Sequence, residues 1–264
     1  MKNVREFAAA KSLGRRISMV TCYDAALARA LEASAVDCIL VGDSAAMVMH
    51  GHPDTLHATV EMMALHTAAV RRGAPTRFLI GDLPFLSFRR GGPAALDAVA
   101  ALMRAGAQAV KLEGVAGHED VIAAIVGSGV PVMGHLGLTP QSVHGFGGFR
   151  VQGRSDEEAR RLFGDARRLE ELGCFALVLE CVPTALAARV TAALRIPTIG
   201  IGAGAACDGQ VLVLQDLLGL GGDLHPRFVR SYLDGLGLVR DAVDRFDADV
   251  KQGEFPAAAE SYGT

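Results

Sequence analysis

The sequence has no long basic stripe, no Cys-x-x-Cys pair and no apolar run close to the roughly 18 residues that span a bilayer. Acidic and basic residues are mixed along the chain and sum to a formal charge of −3. Nothing therefore offers a track for a phosphate backbone, and no nucleic-acid partner is expected. The five cysteines, Cys22, Cys38, Cys174, Cys181 and Cys207, are odd in number and scattered. They lack zinc-site or disulfide-framework spacing, which implies reduced thiols in a cytoplasm. The short Ala8 to Ala10 run is broken by Lys11, Arg15 and Arg16 before the core of a secretory signal could form. A soluble, cytoplasmic protein without a membrane partner is the expectation.

What is present is a chain of 264 residues, half of them hydrophobic, with 31 glycines. A chain of that length buries enough surface to hold a core without disulfides or structural metals, so any metal has a functional role. Short aliphatic runs alternate with longer Ala/Leu/Arg/Glu segments, the pattern of βα units around a parallel sheet. Strands are expected at Ile17 to Thr21, Cys38 to Gly42, Phe78 to Asp82, Ala109 to Glu113, Pro131 to His135, Phe175 to Glu180 and Pro197 to Ile201. An eighth belongs near Gln210 to Leu214. The helices between them fall near Ala25 to Ser34, Thr59 to Arg72, Gly92 to Ala105, His118 to Gly127, Asp156 to Gly173 and Thr184 to Leu194. No linker divides the chain. This predicts an α/β fold: a single (β/α)8 TIM barrel over 1–264, with extra C-terminal helices near Pro226 to Val250 and a loose tail from about 252. The Thr139 to Arg154 stretch, rich in Gly, Gln, Ser and Phe, lacks helical periodicity and follows a strand end. It is expected to be a lid.

The chemistry is legible in how the strands end. The second ends in Gly42-Asp43-Ser44, the third in Gly81-Asp82, the fourth in Lys111-Leu112-Glu113, the fifth in Gly134-His135 and the sixth in Leu179-Glu180. In a barrel these ends share one face, where barrel enzymes place catalysis. Residues two apart share a side of a strand, so Lys111 and Glu113 point inward together, as Asp82 does with Ile80 and Glu180 with Val178. One strand-end carboxylate alone reads more often as a helix N-cap or a solvated loop charge. Five polar termini together specify a site. Several carboxylates and one lysine in a partly dry barrel mouth repel one another, and a divalent cation resolves the conflict. Oxygen ligands favour magnesium or manganese, with Asp43 and Asp82 as the best candidates and Glu113 close by or acting through water. Lys111 is a candidate for binding a substrate carboxylate. His135 reads either as a strand-end histidine bonded to the backbone or as a substrate contact.

Three other features read as structural. The run Ile199 to Gly204 resembles a dinucleotide fingerprint but lies too late in the chain, and fits a glycine-lined barrel loop better. Asp208-Gly209 reads as a turn. Met47, Met49, Met62 and Met63, with His50, His52, His57 and His66 around them, lack regular ligand spacing and suggest adaptable packing.

The strings Leu40 to Ser44, His66 to Pro75, Gly134 to Ser142, Val151 to Arg154 and Leu179 to Pro183 resemble those of the ketopantoate hydroxymethyltransferase family. The resemblance runs from Thr21 to about Pro226. It implies a homo-oligomeric enzyme that makes ketopantoate from the small-molecule substrates 3-methyl-2-oxobutanoate and 5,10-methylenetetrahydrofolate, on the route to pantothenate. It also implies magnesium (Mg2+) at Asp43, Asp82 and Glu113, substrate contacts from Asp43, Ser44, Asp82 and Lys111, and Glu180 as the proton acceptor. The competing readings are a 2-oxo acid enzyme of the phosphoenolpyruvate mutase and isocitrate lyase group, and a barrel that binds without catalysing. The first lacks its catalytic cysteine loop here. The second is opposed by the presence of both Asp82 and Glu180.

Overall fold

A computed structural model describes residues 1–221 and 226–263. The described residues form two compact units, Met1–Val213 and Leu214–Thr264. In the first, eight parallel strands close into a barrel in chain order: β1 (Ile17–Thr21), β2 (Cys38–Val41), β3 (Phe78–Asp82), β4 (Ala109–Glu113), β5 (Val132–Gly137), β6 (Ala176–Glu180), β7 (Thr198–Ile201) and β8 (Gly209–Leu212). The expected TIM barrel is therefore present. Its helices are α1 (Val4–Ser12), α2 (Ala25–Ala33), α3 (Ala45–Val48), α4 (Val60–Gly73), α5 (Gly92–Arg104), α6 (Glu119–Gly127), α7 (Val143–Phe146), α8 (Asp156–Glu171) and α9 (Thr184–Ala193).

Local signals explain the helix starts. Asp24 accepts from the backbone N–H groups of Ala26 and Leu27 ahead of α2, and Thr59 accepts from that of Met62 ahead of α4. Ser155 and Glu158 form a reciprocal capping box on α8.

Strand ends shift from expectation for identifiable reasons. Pro131 and Pro197 stand just before β5 and β7, each lending only a carbonyl, to Val110 and Leu177. Proline has no N–H for the ladder, so regular pairing begins one residue later. At its far end β5 runs two residues past His135, because Leu136 pairs with Leu179 and Gly137 with Glu180. Only glycine fits at 137, where φ is +94° and a Cβ would lie 2.1 Å from the Glu180 carbonyl oxygen.

Two loops hold more structure than the sequence suggests. Thr139 to Arg154 holds a 3-10 turn at Pro140–Ser142 followed by α7, segments too short to show periodicity in the sequence. Asp208 is more than a turn residue: its carboxylate accepts from the Thr198 backbone N–H at 2.8 Å and from Lys11 Nζ of α1 at 2.9 Å. Gly209 then opens β8, where a Cβ would meet the Ile17 carbonyl at 2.4 Å.

The end of the barrel opposite the strand C-termini is closed by aromatic packing. Phe7 of α1 meets Phe78 and Phe175 edge-on at centroid distances of 5.3 and 5.1 Å.

The second unit contains α10 (Leu214–Leu217) and α11 (Gly235–Gln252), the latter capped by Asp234 at its start and by Gly253 in a left-handed conformation at its end. The helical stretch expected from Pro226 is thus one helix that begins at Gly235. Among the described residues no helix is long and apolar enough to cross a membrane.

Candidate active site

Register brings the strand-end groups together. Lys111 stands beside Asp82 across the β3–β4 pair, and His135 beside Glu113 across β4–β5. Because neighbours in register share a face, the inward side chains meet at the barrel mouth. Lys111 Nζ lies 2.8 and 2.7 Å from the two Asp82 carboxylate oxygens. The Asp43 backbone N–H donates to Asp82 Oδ2 at 3.3 Å. Asp43, Asp82, Lys111, Glu113 and His135 are all buried, while Glu180 keeps part of its side chain open.

His135 stands between two carboxylates, with Nδ1 3.4 Å from Glu113 Oε1 and Nε2 3.3 Å from Glu180 Oε2. Neither contact has hydrogen-bond geometry, and Glu113 Oε1 has no hydrogen-bond partner. They are ion pairs. The structure thus gives His135 carboxylate partners instead of the backbone partner weighed from the sequence.

The electrostatics follow from burial. Burial, with repulsion from Asp82 and Glu113, holds the Asp43 carboxyl well above its ordinary range. Asp82 is also raised, chiefly by burial, with Lys111 opposing. Burial alone would lower Lys111, but Asp82, Glu113 and Asp43 overcome it and keep the ammonium charged. His135 is raised to about 9: burial and Lys111 pull it down, and the flanking Glu113 and Glu180 outweigh them.

Among the described residues no three His, Cys, Asp or Glu side chains form a ready-made metal cage. The donor set nonetheless suits a hard divalent ion that takes one or two carboxylates and completes its shell with water and substrate. Glu113 Oε1 makes no hydrogen bond, and the buried Asp43 carboxyl is crowded by Asp82 and Glu113, an arrangement that suits a further cation.

Two residues that strand-end counting passes over belong to the site. Gln141, on the 3-10 turn after β5, donates Nε2 to Asp43 Oδ2 at 2.9 Å and its backbone N–H to Glu113 Oε2 at 3.0 Å. A polar chain thus runs from Lys111 through Asp82, Asp43, Gln141, Glu113 and His135 to Glu180. Tyr23, just past β1, is buried with its hydroxyl 2.7 Å from Ser44 Oγ. Tyr23 thus fixes the hydroxyl of Ser44, the residue that follows Asp43 in the chain. Gln141 lies within one of the resemblance strings, yet nothing in a lone sequence shows that a loop glutamine turns inward.

The methionine and histidine cluster is held by ordinary contacts. His66 Nδ1 donates to the Tyr23 carbonyl at 2.7 Å, leaving Nε2 to accept from His50 Nε2 at 2.9 Å. His52 stacks on His57 at 4.3 Å, and Met63 is fully buried.

Comparison with known proteins assigns the chain to a family. The family model described as ketopantoate hydroxymethyltransferase matches residues 1–258. A 3-methyl-2-oxobutanoate hydroxymethyltransferase from Bdellovibrio bacteriovorus is 53% identical over 99% of this chain and 100% of its own. One from Coxiella burnetii is 54% identical over 96% of each. Among solved structures, a phosphonopyruvate hydrolase in complex with oxalate and Mg2+ superposes with a TM-score of 0.64 at 12% identity, over 98% of this chain and 93% of that one. A 2,3-dimethylmalate lyase of the phosphoenolpyruvate mutase and isocitrate lyase superfamily gives 0.64 at 17%, over 94% and 88%. These distant structures share the fold, whereas the sequence relatives and the family model assign the chain. It belongs to the ketopantoate hydroxymethyltransferase family and is an enzyme of the hydroxymethyltransferase class.

Proposed function

We propose that this enzyme transfers a one-carbon unit from 5,10-methylenetetrahydrofolate to C3 of 3-methyl-2-oxobutanoate, giving ketopantoate, with Mg2+ held by Asp43, Asp82 and Glu113. The observation that carries the reading is a partly open carboxylate, Glu180, at the same barrel mouth as the buried carboxylates of Asp43, Asp82 and Glu113, which outnumber the positive groups Lys111 and His135. When bound, magnesium supplies positive charge beside the carboxylate and keto oxygens of the 2-oxo acid, where negative charge develops as C3 loses its proton.

The protein's own groups do the rest. Glu180 accepts the C3 proton, a role typically worth about 10² to 10⁴ in rate. His135 holds Glu180 in place by its charge. Lys111, fixed by Asp82, and Ser44, fixed by Tyr23, bind the substrate's oxygens. The electron pair left at C3 forms the new carbon–carbon bond to the one-carbon unit, whose two carbon–nitrogen bonds to the folate break; water provides the hydroxyl oxygen, and tetrahydrofolate leaves with a proton on each nitrogen.

The decisive experiment follows C3 proton exchange of 3-methyl-2-oxobutanoate in D2O by NMR. Glu180→Ala and Asp82→Ala proteins should fold yet lose exchange, and a chelator should abolish it in the unaltered protein. Exchange that survives either substitution would overturn the assignment.

The same reading has the enzyme working in the cytoplasm as a homo-oligomer. Five free cysteines support the first. Supporting the second, Leu236, Val239, Val243, Phe246 and Val250 recur along α11 every three or four residues and are about half exposed. Light scattering should give a multiple of 27.6 kDa, and a monomer would contradict it.

A further inference from the structure

The three-residue turn Pro140–Ser142 sits where a loop residue can reach carboxylates from two different strands. The amide nitrogen of Gln141 donates to Asp43 Oδ2 at 2.9 Å and to the Leu83 carbonyl at 3.0 Å. Both partners are acceptors, so the amide has one workable orientation and both its protons are used. The backbone N–H of the same residue donates to Glu113 Oε2, leaving Oε1 without a hydrogen bond and 3.4 Å from His135 Nδ1. Gln141 itself is buried.

The loop that begins here is fastened again at its far end. The Gln152 backbone N–H donates to the Cys181 carbonyl at 3.0 Å, directly after Glu180. Between the two fastenings lie α7 and the positive-φ pair Gly147 and Gly148. One end of the lid therefore rests on the carboxylates assigned to the metal, and the other beside the residue assigned as base.

We infer that Gln141 is a positioning residue that fixes the Asp43 and Glu113 carboxylates for a divalent cation and thereby couples cation binding to the order of the lid, residues 143–154. The inference rests on the divalent-ion reading of the site. Asp43 and Glu113 repel each other, and Gln141 hydrogen-bonds to one oxygen of each, so it fixes the rotamers that present the other oxygen to a cation. Outer partners of this kind typically change metal affinity about 10- to 100-fold when removed. Coupling is reciprocal: if the turn organises the carboxylates, a cation on the carboxylates steadies the turn and the loop beyond it.

The test uses the whole protein and Mn2+ alone, with no substrate. Gln141→Met keeps nearly the same side-chain volume and removes both donors. The Kd for Mn2+, from the EPR signal of the free ion, should rise about 10-fold or more. In the same samples, hydrogen–deuterium exchange across 143–154 should slow on Mn2+ addition in the unaltered protein and not in the variant. A purely structural glutamine would speed exchange of the loop with and without Mn2+ and leave the Kd alone. A Kd within about twofold of the original, or an undiminished Mn2+ effect on the loop, overturns the inference. If Gln141→Met does not fold, Gln141→Asn, which keeps the amide one methylene short, is judged by the same two criteria. Absence of Mn2+ binding by the unaltered protein would defeat the metal reading and this inference together, which separates that outcome from a failure of Gln141 alone.

Discussion

His135 Nε2 lies 3.3 Å from Glu180 Oε2, so the proposed base is held by a buried charge instead of being left to solvent. His135→Asn removes that hold, and with it the ring that faces Glu113, while leaving the Asp43 and Asp82 contacts in place. The expected result is a fall in kcat of about 10-fold or more, with the KM for 3-methyl-2-oxobutanoate little changed. Equal kcat in the two proteins would show that Glu180 needs no such support.

The same ring predicts a pH dependence for protein stripped of divalent ions. Its pKa rises from 6.5 to about 9 on folding. The imidazolium therefore contributes stability fully below the unfolded value of 6.5 and loses it as pH climbs through about 9. Denaturation midpoints of chelator-treated protein should fall across that window, and His135→Asn should flatten the fall. A profile unchanged by the substitution would remove His135 as its source.

Lys111 is the cation that the buried carboxylates share within the protein. Lys111→Met leaves Asp82 without its partner and should cost about 3–5 kcal/mol, the usual penalty for breaking a buried pair. Asp82→Asn in the same background should restore part of that loss. Urea titrations of the single and double variants measure it, and strictly additive losses would contradict the pairing.

At the opposite end of the barrel, Phe7→Ala opens a hole beside Phe78 and Phe175 and should destabilise by about 3–5 kcal/mol. The C3 exchange rate at a temperature where the variant is folded should stay near the original. Loss of exchange in folded protein would mean that the two ends of the barrel are coupled.

The barrel was readable because short aliphatic runs and strand-end polar residues are local signals, and Asp82, Lys111 and Glu113 stand at strand ends in the sequence as they do in space. Register is not local. That His135 would face both Glu113 and Glu180 follows from β4, β5 and β6 lying side by side, which the sequence implies only once the barrel is assumed. Gln141 and Tyr23 were hidden for a different reason. Each sits past a strand end in a short irregular segment, where nothing periodic says which way a side chain turns. Asp208 looked like a turn residue because its partner, Lys11, lies 197 positions away.

The seam between β1 and β8 joins Ile17 to Gly209. During synthesis the first strand must therefore wait, one edge unpaired, until nearly the whole barrel has left the ribosome. Lys11 and Asp208 then bolt the earliest helix to the last turn. A ribosome stalled anywhere before that point would carry an open sheet with an exposed edge, the form of this chain most exposed to aggregation and to chaperone capture.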